Sequence, residues 1–161
     1  MKTLYLVRHA KSSWEHDVND HQRPLKKRGK KDAPMVAAKA AGQVAAPQKI
    51  ISSDAVRAKT TAAYFKNAFG LPDNHFTLDH SLYDFSGQNV MQIIKNLDNA
   101  LHTVMLVGHN HAFTSIANML GSTYIENMPT SGFVMITFNE VKWGEISSGT
   151  TKKMIFPRHL K

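Results

Sequence analysis

Four side chains of this sequence have the chemistry to grip and transform an anion: Arg8, His9, Arg57 and His109. A guanidinium binds the oxygens of a phosphate through paired, charge-assisted hydrogen bonds. An imidazole is nucleophilic when neutral and changes charge close to neutral pH. The chain has no cysteine, so thiolate chemistry and disulfides are excluded. His109 and His111 could ligate a metal, but no third ligand stands at zinc-like spacing from them. Two imidazoles and two guanidiniums, with no cysteine and few carboxylates nearby, suggest anion chemistry.

Each of the four follows an apolar run. Arg8-His9 ends the stretch Leu4-Tyr5-Leu6-Val7, and His109 follows Thr103-Val104-Met105-Leu106-Val107 with only Gly108 between. Runs of this length, apolar on both faces and closed by turn residues, read as buried strands of a parallel sheet. Ligands bind beyond the carboxyl ends of such strands. Neighbouring strand residues point to opposite faces, so Arg8 and His9 can share a site only if the backbone has left strand geometry by His9. A shorter strand, Lys49 to Ser52, leads through Ser53-Asp54 into a helix expected over Ala55 to Ala68 and closed by Gly70. Arg57 falls in the first turn of that helix, where its charge adds to the positive end of the helix dipole.

The remaining elements alternate. A polar loop spans Lys11 to Pro24, and a helix is expected over Lys30 to Val44, with Pro34 in its first turn. Phe76-Thr77-Leu78 reads as an edge strand and Asp79 to Asn89 as loop. A short helix follows over Val90 to Leu97, and another over Ala112 to Leu120. Phe133 to Phe138 and Val141 to Ile146 read as a hairpin turning at Asn139-Glu140, with a loosely packed basic tail from Lys152. The class is α/β, a single domain over residues 1–161: a three-layer sandwich whose central sheet is mostly parallel, with an antiparallel edge and helices on both faces.

The composition is that of a globular chain, and no apolar run approaches the ~20 residues that span a bilayer. Nothing in the opening residues resembles a signal peptide, so a cytoplasmic location is expected. The formal net charge of +8 favours anionic partners. Its densest cluster, Arg23 to Lys31, is read first as a solvated helix start. No aromatic residue interleaves it, which makes nucleic-acid binding by base stacking a poor fit.

Several segments together resemble the histidine phosphatase superfamily. Leu4 to Ala10 is similar to its RHG signature, with Ala10 in place of Gly. Ser53 to Thr61 resembles its S-P-x-x-R-A-x-x-T segment, with Asp54 in place of Pro. Val107-Gly108-His109-Asn110 resembles its second-histidine motif. Arg23-Pro24-Leu25 and Met128-Pro129-Thr130-Ser131-Gly132 are similar to elements of the SixA-like phosphohistidine phosphatase group, and the likeness runs from Lys2 to about Pro157. The resemblance implies a phosphoglycerate mutase-like fold and a metal-free, cofactor-free reaction. In it His9 takes the phosphoryl group and Arg8, Arg57 and His109 hold its oxygens. Lys11, Ser12, Arg23 and Lys26 would line the mouth of the pocket, each with a surface or loop role as the plainer alternative. The glutamate that many members use as general acid is missing. Asp84 stands in that region, either as a substitute acid or as a loop aspartate. A phosphoramidate leaving group needs less help from an acid than an ester does, which leans towards phosphohistidine in a signalling protein as substrate. Small phosphate esters, and a non-catalytic phospho-binding or nucleic-acid-binding module, are the alternatives.

Overall fold

Strand β1 (Lys2–Arg8) divides the core in two. Leu4 and Leu6 enter one cluster of buried side chains and Tyr5 and Val7 the other, all at most 1% exposed. The split follows from the period-two alternation of a strand, and both faces can be apolar because both are covered. The computed structural model describes residues 1–161. Its sheet also contains β2 (Lys49–Ser52), β3 (Phe76–Leu78), β4 (Thr103–Gly108), β5 (Phe133–Phe138) and β6 (Thr150–Ile155), in the order β3-β2-β4-β1-β5-β6. The first four strands in that order are parallel, while β5 runs antiparallel to both β1 and β6. Helices α1 (Lys27–Gln43) and α2 (Val56–Phe69) cover the Tyr5 face, and α3 (Gln88–Lys95) and α4 (Ala112–Leu120) cover the Leu4 face.

Register sets the rim of the sheet. Arg8 pairs with Gly108 across β1 and β4, and Ser52 pairs with Val107 across β2 and β4. The residues that follow these strands, His9, Ser53 and His109, therefore emerge side by side at one edge. Two bonds continue the ladder past the strand ends: His9 N–H donates to Gly108 O at 3.0 Å and Ser53 N–H to Val107 O at 2.9 Å. β1 ends at Arg8, so the backbone has left strand geometry at His9, as expected.

Three local expectations are corrected. Helix α1 starts at Lys27, three residues early, and Pro34 lies well inside it. Proline there removes a bond to the Lys30 carbonyl, and Lys30 is exposed, where water can replace that bond. The partner of β5 is Thr150–Ile155, not Val141–Ile146. Trp143–Glu145 is instead a 3-10 turn that sends Trp143 and Ile146 into the core, both 0% exposed. The basic tail is accordingly not loose: it supplies β6 and the buried Ile155 and Phe156. No helix is long and apolar enough to cross a membrane.

Candidate active site

The loop after β1 is held from three sides. Ala10 is fully buried against Leu25 and Ala33, and its N–H donates to Thr61 Oγ1 at 2.9 Å. The Thr61 hydroxyl donates in turn to the Arg57 carbonyl at 2.8 Å, one helical turn back. One threonine thus ties the loop that carries His9 to α2. Helix α1 presses on the same loop through Gly29, where a Cβ would collide with the Lys11 carbonyl. From the third side, Ser131 N–H donates to the Arg8 and His9 carbonyls at 3.1 and 3.2 Å, from a left-handed backbone with φ of 63°.

The protonation of His9 follows from its neighbours. Nδ1 lies 2.8 Å from the Ala10 carbonyl, which can only accept, so Nδ1 carries the proton. Arg57 Nε lies 3.3 Å from Nε2 and can only donate, so Nε2 is bare. Burial is the largest influence on the ring and pushes its pKa well below 6.5. The charges of His109, Arg57 and Arg8 push the same way, against the Ala10 bond. His9 is a neutral imidazole with a free lone pair.

His109 is fully buried, its ring 5.1 Å from that of His9. Burial, with Arg57 and Arg8, lowers its pKa to about 3, although Asp20 opposes them. Its Nε2 is 2.8 Å from Ser53 Oγ, and its Nδ1 is buried with no partner in the fold. Gly108 keeps the preceding backbone close to α4: a Cβ would stand 2.8 Å from the Phe113 ring. Arg8 donates to the Met128 carbonyl at 2.8 Å, and its Nε is buried without a partner. Burial and the neighbouring Arg57 both lower the pKa of Arg8.

Arg8, His9, Lys11, Ser12, Arg23 and Arg57 line one cleft of about 470 Å³, together with Trp14, Asp20, Phe85, Asn110 and Thr130. His109 lies beneath this lining, its ring 5.1 Å from that of Phe85, while Lys26, exposed at the start of α1, is not part of it. Arg23 is 7% exposed. It donates to Ser12 Oγ at 2.7 Å and to Asp20 Oδ1 at 3.0 Å, and it stacks on the Trp14 ring at 3.4 Å. Asp84 lies outside the cleft. Its carboxylate accepts from the N–H groups of Ser86, Gly87, Asn89 and Val90 and so caps α3. Burial alone would raise its pKa, but these donors outweigh it and hold the carboxyl ionised.

Asp20 was not among the residues singled out in the sequence. Arg57 gives one terminal nitrogen to the Asp20 carbonyl at 2.7 Å and the other to Oδ2 at 2.9 Å. Tyr83 O–H donates to the same Oδ2 at 2.5 Å. Burial opposes ionisation, yet Tyr83, Arg57 and Arg23 together drive the Asp20 pKa far below the usual carboxylate range. The signal in the sequence was the spacing Asp20-x-x-Arg23, an i,i+3 ion pair inside a loop that otherwise reads as merely polar.

Residues 4–93 match the family model of the histidine phosphatase superfamily, branch 1. An uncharacterised chloroplastic protein of Arabidopsis thaliana is 31% identical over 153 residues, which cover 89% of this chain and 70% of that protein. The structure of a candidate phosphohistidine phosphatase SixA from Agrobacterium tumefaciens superposes with a TM-score of 0.80 at 25% identity, covering 97% of this chain and 98% of that one. The structure of the protein histidine phosphatase SixA complexed with tungstate gives 0.82 at 21% identity over 99% of both chains, a likeness of fold. The six-stranded mixed sheet is the phosphoglycerate mutase-like fold of these neighbours. With the signature segments at the rim of that sheet and the family model matching more than half of the residues, the chain belongs to the histidine phosphatase superfamily, in branch 1, and is a phosphatase.

Proposed function

We propose that this phosphatase works through a phosphohistidine formed on His9 and that its substrate is phosphohistidine in a protein. The observation that carries the reading is the pair of bonds on His9, which leaves Nε2 unprotonated beside the Arg57 guanidinium. In the first step Nε2 attacks phosphorus. The bond from His9 to phosphorus forms as the bond from phosphorus to the substrate imidazole breaks, and that imidazole leaves as a neutral ring if it already carries its proton. In the second step water adds to the phosphoryl group, His9 leaves with the electron pair, and inorganic phosphate is released. Arg8, Arg57 and His109 hold the charge that spreads over the equatorial oxygens. Ser53 Oγ already accepts from Ala55 N–H at 3.2 Å, so its proton is free to go to His109 Nε2, which puts the ring proton on the unpartnered Nδ1. A phosphoryl oxygen would give that donor its missing acceptor.

The preference for a phosphoramidate rests on the want of an acid in the cleft. Asp84 is ionised and engaged with α3, and Asp20 is an ion-paired carboxylate. Neither is placed to protonate an alkoxide. Lys11, Ser12 and Arg23 are assigned to the mouth of the cleft, Arg23 chiefly as the clamp on Ser12 and Asp20. The test is a side-by-side assay of phosphohistidine peptides and a panel of phosphomonoesters, in excess chelator. The reading predicts a kcat/KM for the peptides at least tenfold above that for any ester. Equal or better turnover of an ester would move the substrate class to small phosphate esters.

A further inference from the structure

Beside the cleft lies a cluster of donor atoms that the phosphatase reaction does not use. His21 Nε2 stands 2.8 Å from Asp54 Oδ1, and His80 Nδ1 stands 3.0 Å from both oxygens of Asp54. One donor atom from each of the three lies within 4.8 Å of the other two. The His80 side chain is 72% exposed and those of His21 and Asp54 are 26% and 31% exposed, so an ion can enter from solvent.

We propose that His21, Asp54 and His80 bind a divalent transition metal of the zinc class, and that the bound ion restrains access to Arg57. Two imidazoles and one carboxylate form a zinc donor set that leaves a fourth position for water. At metal–ligand distances of about 2.0–2.2 Å, tetrahedral donors stand about 3.3–3.6 Å apart. The His21–Asp54 contact at 2.8 Å would open by about 0.5–0.8 Å and the His80–Asp54 contact at 3.0 Å by about 0.3–0.6 Å. Each ring keeps a single proton, moved to the nitrogen that faces away from the ion. On His21 that nitrogen is Nδ1, which has the Gln22 side-chain amide 3.1 Å away to accept from it once the amide oxygen faces the ring. Asp54 occupies the place of the proline in the S-P-x-x-R segment, so this donor belongs to the present sequence and not to the signature.

The consequence for the cleft follows from chain connectivity. His21 adjoins Asp20, Asp54 precedes Arg57 by three residues, and His80 precedes Tyr83 by three. Asp20, Arg57 and Tyr83 are the residues that bond to one another over the nucleophile, with both terminal nitrogens of Arg57 on Asp20. An anion that needs those nitrogens must lift the Asp20 turn away. A metal that ties His21 to the other two segments holds the turn down. Metal occupancy therefore raises KM and leaves kcat unchanged. This consequence rests on the phosphatase reading above; the binding site does not.

The experiment is titration of the chelator-stripped full chain with Co²⁺ as a visible-absorption probe, followed by displacement with Zn²⁺. Wild type is expected to take up one equivalent. His80→Ala and Asp54→Ala should each weaken the apparent affinity at least tenfold with the thermal midpoint retained, while His102→Ala, before β4 at the far end of the sheet, should bind as wild type does. Binding unaffected by His80→Ala and Asp54→Ala, or no binding at all, overturns the site. In the kinetic arm, saturating Zn²⁺ should raise the wild-type KM at least threefold and leave that of His80→Ala unchanged. Binding through the three ligands without a change in KM overturns the restraint but keeps the site. Failure of the metal-free wild type to hydrolyse any phosphorylated substrate would count against the phosphatase reading and leave the metal titration standing.

Discussion

Replacing Thr61 with valine isolates the link between α2 and the loop that carries His9, the proposed nucleophile. The two side chains have nearly the same shape, and Thr61 is fully buried, so packing changes little. What is lost is the acceptor for the Ala10 N–H, at 2.9 Å, and the donor to the Arg57 carbonyl, at 2.8 Å. The carbonyl keeps its place in the helix, but the Ala10 N–H is left buried without a partner. Such an orphan costs about 1–3 kcal/mol. For a chain of this length each kcal/mol is worth roughly 2–4 °C, so Thr61→Val should melt some 4–8 °C below wild type if the cost is about 2 kcal/mol. Activity should fall as well, because the Ala10 carbonyl fixes the His9 tautomer and moves with the same peptide segment. A misplacement of the nucleophile by a fraction of an ångström to 1 Å costs roughly tenfold to a hundredfold in kcat. Urea denaturation with an unchanged m-value and steady-state kinetics at saturating substrate read the two effects, and Thr61→Ser should restore both in large part. A valine variant within about 0.5 kcal/mol of wild type and with unchanged kcat would refute the claim that this threonine positions the nucleophile.

Two further predictions concern charge. Asp84→Ala should lose about 1–2 kcal/mol of stability, because it uncaps α3, and keep kcat within about twofold; a hundredfold loss of kcat in the folded variant would make Asp84 a proton donor after all. Stability should also fall on acidification below pH 6.5. The pKa of His109 is lowered to about 3 and that of His9 is lowered too, so between the folded and unfolded values the unfolded chain holds the extra protons. The stabilisation is complete above about pH 6.5 and is lost as pH falls towards 3, with a slope of about 1.4 kcal/mol per pH unit for each proton. The urea midpoint measured from pH 7 to pH 4 checks this, and a midpoint that does not move would show that both histidines are charged, or solvated, in the folded state.

The rim of the sheet was legible because its residues announce themselves locally. Leu4 to Val7 and Val104 to Val107 are apolar on both faces, and the polar residues that follow could only lie at strand ends. Register then did the rest: Arg8 opposite Gly108 makes His9 and His109 neighbours, something the spacing of 100 residues in the sequence does not show. Strand β6 was hidden because it is a sheet edge. Thr150 to Lys153 is polar on both faces, with only Ile155 fully committed to the core, so hydrophobic periodicity favoured the more apolar segment at Val141 to Ile146. The early start of α1 was masked by Gly29 and Pro34, residues that usually stop or begin a helix. Here Gly29 serves the close approach to Lys11 instead. Asp20 and Tyr83 escaped notice because the bonds that give them a place at the site are remote in sequence, Arg57 to Asp20 over 37 residues and Tyr83 to Asp20 over 63, and the local Asp20-x-x-Arg23 spacing is a weak signal. The cluster of His21, Asp54 and His80 was invisible for the same reason: three donors from three segments carry no spacing of their own.

The claim on which the rest depends is that His9 Nε2 accepts the phosphoryl group. It is tested most directly by acid–base stability of the phosphoenzyme trapped with radiolabelled substrate. Label that survives alkali, is lost in acid, maps to the peptide bearing His9 and is absent from folded His9→Ala is the predicted result. Label that persists in His9→Ala, or turnover by that variant at the wild-type rate, would contradict it.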